Sequence, residues 1–389
     1  MKVVTAAAAL RLFGPDHRFV TRVHATAAPD AAGVIDGDLV ITGGSDPVLA
    51  TATFIRKVNM TRPATPLGGL AGRIARRGVT RITGRVLGDP SVLADEPLAA
   101  GWPDTYLTSL DATRSSGLTV DRGLRLFRRS GRLQAAAAGD PARRTAREFA
   151  RALEGRKVRV DGAVGTVDAA PSDLVEVARI HSPPLETLLA HMLRFSDNHL
   201  ADAVFRMLGA ATGDPTWRGS AAAVRGALAD LDVDWTDLRL ADGSGLARRN
   251  RLTAAALADV LRIMANGPLR EQWLRLLPVA GRTGTMAGRL RDTPGDGRVH
   301  AKTGTLRDVR ALAATIPGRH GHDQHLVVVV NDLQRATDIT AARRLSDVLA
   351  LALTVAQDGC GGPIVVPRPT GPLRDLPERR ICTVRRAKK

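Results

Sequence analysis

The stretch MKVVTAAAAL that opens the chain constrains the fold more than any other. Val3, Val4, Ala6, Ala7, Ala8, Ala9 and Leu10 leave the predicted helix no polar side. A helix that is apolar all round is buried, so other elements must wrap around it. Lys2 stands at its first turn, and no Ser, Thr, Asp or Asn precedes it as a cap. A lysine at the mouth of a core helix calls for a chemical reason.

The rest of the 389-residue chain supplies the wrapping. Period-two alternation predicts neighbouring strands over His17–Thr26 and Gly33–Gly44. From Asp46 to about Pro171 the texture changes to Pro/Thr/Gly-rich links. This stretch holds a helix near Pro66–Arg77, a strand GVTRITGRVLGD, a helix over Pro141–Glu154 and the strands KVRVDGAV and LVEVARI at its end. Helices then dominate from SPPLETLLAHMLRF to LTAAALADVLRIMANG. Three strands follow (RVHAKTG, VRALAATIPG, HLVVVVND), then a long amphipathic helix near Ala336–Ala356. The expected class is α+β, an antiparallel sheet flanked by helices with a large inserted module. One discontinuous domain is expected from 1–45 and 172–357, the insert from 46–171, and a Pro/Arg-rich, loosely ordered tail from 358–389.

The net charge of +17 invites a polyanionic partner, but only six of the 56 basic residues are lysines. The arginines are scattered among Ala and Gly, without the localised stripe and stacking aromatics of a nucleic-acid site, and aromatics are only 3% of the chain. No nucleic-acid role is therefore expected; attraction to an anionic bacterial envelope fits the charge equally well. No apolar run reaches the length of a membrane span, and no signal peptide is legible at the start. Cys360 and Cys382 are too few for a disulfide scaffold or a thiolate metal site, and either pair or stay free.

Three short stretches carry the chemistry. RFSDNHL puts Ser196, Asp197 and Asn198 at a junction of two helices, where a cap is the plain reading. HAKTGTL puts Lys302, Thr303, Gly304 and Thr305 on a strand, and LADGSGLARRN is a Gly-rich loop. Ser196 precedes Lys302 by 106 residues. S-D-N and K-T-G in this order, together with S-x-x-K, mark penicillin-binding proteins and serine β-lactamases. In S-x-x-K the lysine lies one turn after the nucleophile and shares its helix face, so Lys2 reads as the end of S-x-M-K. The serine is then expected two residues ahead of Met1, outside this chain.

With GPDHRF, GDLVITGGSDP, ITGRVLGD, GLTVDRG, DGSGLARRN and LPVAG in order, the chain resembles the class C penicillin-binding proteins, the D-alanyl-D-alanine carboxypeptidase/endopeptidase family. Lys2 and Ser196 are 194 positions apart, which fits that family's insert between the first two motifs. TLRDV departs from it, since a small residue more often follows the third motif. The resemblance implies a penicillin-binding-protein/serine β-lactamase-like transpeptidase fold and acyl transfer from peptidoglycan peptides ending in D-Ala-D-Ala to serine and then to water. It also implies β-lactam inhibition, no cofactor, no metal, and a cell-envelope, extracytoplasmic full-length protein.

It assigns roles as well. Lys2 is the base with lowered pKa. Ser196 relays a proton, Asn198 binds the substrate amide and orients Lys2, and Lys302 faces the substrate carboxylate. Thr303 and Thr305 offer hydroxyls to it, and the Thr305 N–H serves an oxyanion hole. Gly304 lets substrate lie along the strand edge. Asp242 and Ser244 shape the floor. His320, His322, Asp323 and His325 could ligate a metal, though a polar hairpin loop is the simpler reading. Trp102 and Tyr106 either grip a large wall fragment or are core of the insert. A non-catalytic peptidoglycan-binding relative and an arginine-mediated envelope or nucleic-acid adhesin are the alternatives in other classes.

Overall fold

The computed structural model describes residues 1–59, 62–230, 233–318 and 323–357. Helix α1 (Lys2–Phe13) is buried from Lys2 to Leu10, as its composition demands. It opens into strand β1 (Val20–Ala25), which pairs antiparallel with β2 (Leu39–Thr42). Between them the expected single strand over Gly33–Gly44 is split: Val34–Ile35 joins a different small sheet. Gly37, at φ 116°, turns the chain between the two pieces, a conformation that alternation of side chains does not reveal.

Helix α2 (Gly68–Arg76), strand β3 (Val86–Asp89), helix α3 (Pro141–Glu154), strand β4 (Val164–Thr166) and strand β5 (Val175–His181) follow. The start of α3 is locally specified. The Asp140 side chain accepts from the Arg143 N–H at 2.8 Å, and Pro141 takes the first helical position. The strands form one mixed sheet in the order β4-β3-β2-β1-β5, and α3 packs on β3 and β4. Its core joins Val23, Ile41 and Ile180 to Leu70, Ile74, Phe149 and Leu153. Packing thus groups β1, β2 and β5 with the residues between 46 and 171, and the sheet reaches past both boundaries expected from composition.

The second half builds helices α4 (Leu185–Phe195), α5 (Asn198–Ala211), α6 (Trp217–Ala227), α7 (Ala254–Asn266) and α8 (Arg270–Leu276). Helix α1 contacts α4, α5, α6 and α7, so the apolar rod is the axis of this lobe. Strands β6 (His300–Leu306), β7 (Val309–Ile316) and β8 (Gln324–Val330) form an antiparallel sheet with β7 in the middle. One face meets the helical core through Ala313. The other carries Ala301, Leu312 and Ile316 toward helix α9 (Ala336–Gln357) and its Ala350. The fold is α+β, an antiparallel sheet flanked by helices. Among the described residues, β6 and β8 have no strand on their outer edges. No helix of the described residues is long and apolar enough to cross a membrane. The tail with Cys360 and Cys382 lies outside the described residues.

Candidate active site

Four separate parts of the chain meet at the first turn of α1. Lys2, 8% exposed, donates from Nζ to Asn198 Oδ1 and to the Ser244 carbonyl, both at 2.7 Å. Lys302, 5% exposed, donates to Ser196 Oγ at 3.0 Å and to the carbonyl of Thr303 at 2.5 Å. Two buried lysines are thus held by two residues of one three-residue junction. The junction's geometry explains how. Ser196 closes α4 in the left-handed region at φ 56°, and the Asp197 side chain caps α5 by accepting from the Leu200 N–H at 3.0 Å. The true cap is Asp197, which frees Ser196 and Asn198 to face outward.

The charges around the site are unusual. Burial lowers the Lys302 pKa to about 7, helped by the Lys2 charge. Burial also lowers that of Lys2, against the pull of Asp202, Asp242 and Asp197.

The floor is a network of carboxylates. Asp202 Oδ1 accepts the N–H groups of Gly243 and Ser244 at 2.9 and 2.8 Å. Gly243 must be glycine, since a Cβ there would lie 2.3 Å from the Ala201 carbonyl oxygen. Asp242 accepts from the Trp102 indole N–H at 2.9 Å, from the Ala247 N–H at 2.6 Å, and from Gly245 and Asn250. Asp242 and Ser244 do shape the floor, and Ser244 adds the carbonyl that holds Lys2. Trp102 and Tyr106 are part of this construction. Trp102 is 9% exposed and packs edge-on against Trp217, while the Tyr106 hydroxyl donates to the Leu246 carbonyl at 3.2 Å. They brace the loop, so Trp102 is not free to grip a wall fragment.

Other expected residues are placed as follows. Gly304 and the exposed Thr305 lie on the open edge strand β6, with Gly304 opposite Ala311. The Thr303 hydroxyl bonds that of Thr285 at 2.9 Å, one position out of phase with Lys302 along the strand. Asp323 pairs with Arg270, and His325 Nδ1 lies 3.2 Å from Thr315 Oγ1; His320 and His322 lie outside the described residues. Sequence reasoning missed three contributors. Asp202 is one, and its signal was its place four residues after Asn198, hence on the same helix face. The Asp111 carbonyl, which accepts from Asn198 Nδ2 at 3.1 Å, gave no signal. Nor did Arg122, which makes a two-pronged ion pair with Asp197.

A family model described as the D-Ala-D-Ala carboxypeptidase 3 (S13) family matches residues 1–131 and 128–352. The chain belongs to that family. As an S13 member it is a serine-type peptidase of the penicillin-binding class. It is 32% identical over 394 residues to the D-alanyl-D-alanine carboxypeptidase of Actinomadura sp. (strain R39), covering 82% of this chain and 70% of that relative. Penicillin binding protein 4 (dacB) from Haemophilus influenzae has the same fold, with a TM-score of 0.76 at 22% identity over 90% of each chain. A structure of that protein complexed with a novel beta-lactam superposes at a TM-score of 0.67, at 21% identity over 90% of this chain and 89% of its own. The S13 assignment accounts for the burial of both lysines beside Ser196 and Asn198, an arrangement with no evident use in holding the fold together.

Proposed function

We propose that this S13 protein is a carboxypeptidase/endopeptidase that acts on peptidoglycan stem peptides ending in D-Ala-D-Ala through an acyl-serine, outside the cytoplasm. The observation that carries this is the convergence of Lys2 on Asn198 and of Lys302 on Ser196. The nucleophile is the serine that the S-x-x-K motif puts three residues before Lys2, on the same helix face. Its Oγ attacks the carbonyl of the penultimate D-Ala while its proton passes to neutral Lys2 Nζ. Such general-base help is worth roughly 10²–10⁴ in rate. The C–N bond then breaks, and the terminal D-Ala leaves with a proton relayed through Ser196. Water hydrolyses the ester by the same route in reverse.

Asn198, held by Lys2 and by the Asp111 carbonyl, receives the substrate amide in this reading. Lys302 in its charged form faces the substrate carboxylate, with Thr303 and Thr305 nearby on the strand. The open edge of β6 at Gly304 accepts the peptide as an added strand, and the Thr305 N–H joins that of the serine as the oxyanion hole.

Fluorescent penicillin tests the reading. The chain as given is expected to form no covalent adduct, and a chain extended to place serine three residues before Lys2 is expected to label. In the extended protein, Lys302→Ala is expected to slow acylation at least about tenfold, equivalent to about 1.4 kcal/mol. An extended protein that binds peptidoglycan but never labels would be a non-catalytic relative. Labelling of the unextended chain would move the nucleophile elsewhere.

A further inference from the structure

Far along the chain from either motif, the segment from Pro47 to Gly88 contains no acidic residue but eight basic ones. Two of these find carboxylates, Arg81 with Asp161 and Arg85 with Asp38. Elsewhere in the same lobe Arg144 pairs with Asp121. Arg56, Arg73, Arg76 and Arg156 are exposed, and none has a hydrogen-bonding or acidic partner among the described residues, as holds also for Lys57 and Arg77 beside them.

These four side chains line one groove of about 460 Å³ between α2, the Ile55–Asn59 turn and the end of α3. Its floor is glycine. A Cβ on Gly72 would lie 3.4 Å from Arg76 Nη1 and 3.9 Å from Arg156 Cζ, so both guanidiniums overhang the same small volume. Like charges gathered over a bare floor repel unless an anion sits between them.

We propose that this groove binds the phosphate groups of an extended, base-free polymer of linked phosphates. A guanidinium's planar fork matches phosphate oxygens two at a time, and four of them suit successive phosphates better than one isolated ion. The site is concave, which suits a chain laid into it rather than a flat lipid surface. Its lining has no aromatic ring on which a base could stack, which disfavours single-stranded nucleic acid. The groove would hold the protein against an anionic matrix without using any residue of the acyl-transfer centre, so the inference does not depend on the proposed chemistry.

The test is direct binding of sodium polyphosphate by the chain at two salt concentrations. The triple variant Arg73→Gln, Arg76→Gln, Arg156→Gln is compared with Arg125→Gln, Arg129→Gln, Arg132→Gln, which removes the same charge from another exposed site. The groove variant is expected to bind at least about tenfold more weakly and to lose about two from its log–log salt slope. The second variant should stay within about twofold of the parent, and inorganic phosphate should compete. Thermal melts confirm that both variants fold. Equal losses in the two variants would reduce the effect to net charge and overturn the proposal, as would no binding by the parent. Preference for phosphatidylglycerol vesicles or for oligothymidylate over polyphosphate would overturn it in favour of a membrane or a nucleic acid.

Discussion

Lys302 deprotonates near pH 7 when folded and near 10.5 when unfolded. Between these values the unfolded chain binds more protons, so the penalty for burying this ammonium is fully present below pH 7 and relieved as pH rises through the window. Its use runs the other way, because only the charged form attracts a carboxylate. In the extended protein, kcat/KM for a peptide with a free C-terminal carboxylate is expected to fall about tenfold per unit above roughly pH 7. The same peptide carrying a C-terminal amide should lack that limb. Identical profiles for the two peptides would remove the carboxylate from Lys302's role. Asp202 offers a second residue-level test. Burial and the neighbouring Asp242 push its pKa well up, so a neutral acceptor should serve nearly as well as a carboxylate. Asp202→Ala is expected to release the Gly243 and Ser244 N–H groups and slow acylation by about tenfold to hundredfold, a loss of about 1–3 kcal/mol. Asp202→Asn should recover to within roughly threefold on the same penicillin assay, and failure to recover would mean that charge matters. Ser196, Asn198 and Lys302 were legible because their motifs are side-chain chemistry in fixed order. The Ser244 carbonyl was not, because it is a backbone group that any sequence supplies, and Asp202 left only its spacing from Asn198 as a signal.

At the scale of elements, the junction between α4 and α5 is tied to the other lobe by Arg122, itself at φ 62°. Burial alone would raise the Asp197 pKa, but the Arg122 charge and hydrogen bonds from Arg122 and the Leu200 N–H hold it well below the usual carboxylate range. A carboxylate held down in this way contributes stability that is present above its unfolded pKa and lost as the pH falls through the folded one. The side chain of Asp197 is 2% exposed and that of Arg122 21%. Arg122→Ala is expected to destabilise by about 3 kcal/mol, at the low end for breaking a buried pair. In denaturant titrations the gap between parent and Asp197→Asn should narrow as pH drops below about 4; a gap independent of pH would rule out the ion pair as its source. Helices were the most legible elements: α3 runs from Pro141 to Glu154 as its cap and proline announce. Strands were less so. Gly33–Gly44 and the stretch from Gly78 to Asp89 each divide into two short strands in different sheets, since a turn inside an alternating run leaves the alternation intact.

At the scale of the molecule, Trp102 and Tyr106, far from the floor loop in sequence, pack into the core of the helical lobe and hold Asp242 and Leu246 there. Replacing both with alanine is expected to lower the melting temperature and to slow turnover of a small depsipeptide and of intact sacculi by the same factor. Selective loss on sacculi alone would restore a substrate-gripping role. Such bracing lay beyond sequence reasoning because it links residues 140 positions apart. The antiparallel sheet has a second consequence. Its β6 edge is the one beside Lys302 and Ser196, but β8 is a valine-rich strand with no strand on its outer edge among the described residues, and its Val329 is 37% exposed. Bare ladder groups on an apolar ribbon are a template for aggregation. Concentrated samples are therefore expected to scatter light increasingly with time as copies zip together through β8. Val329→Lys should keep them monodisperse while leaving penicillin labelling of the extended protein unchanged.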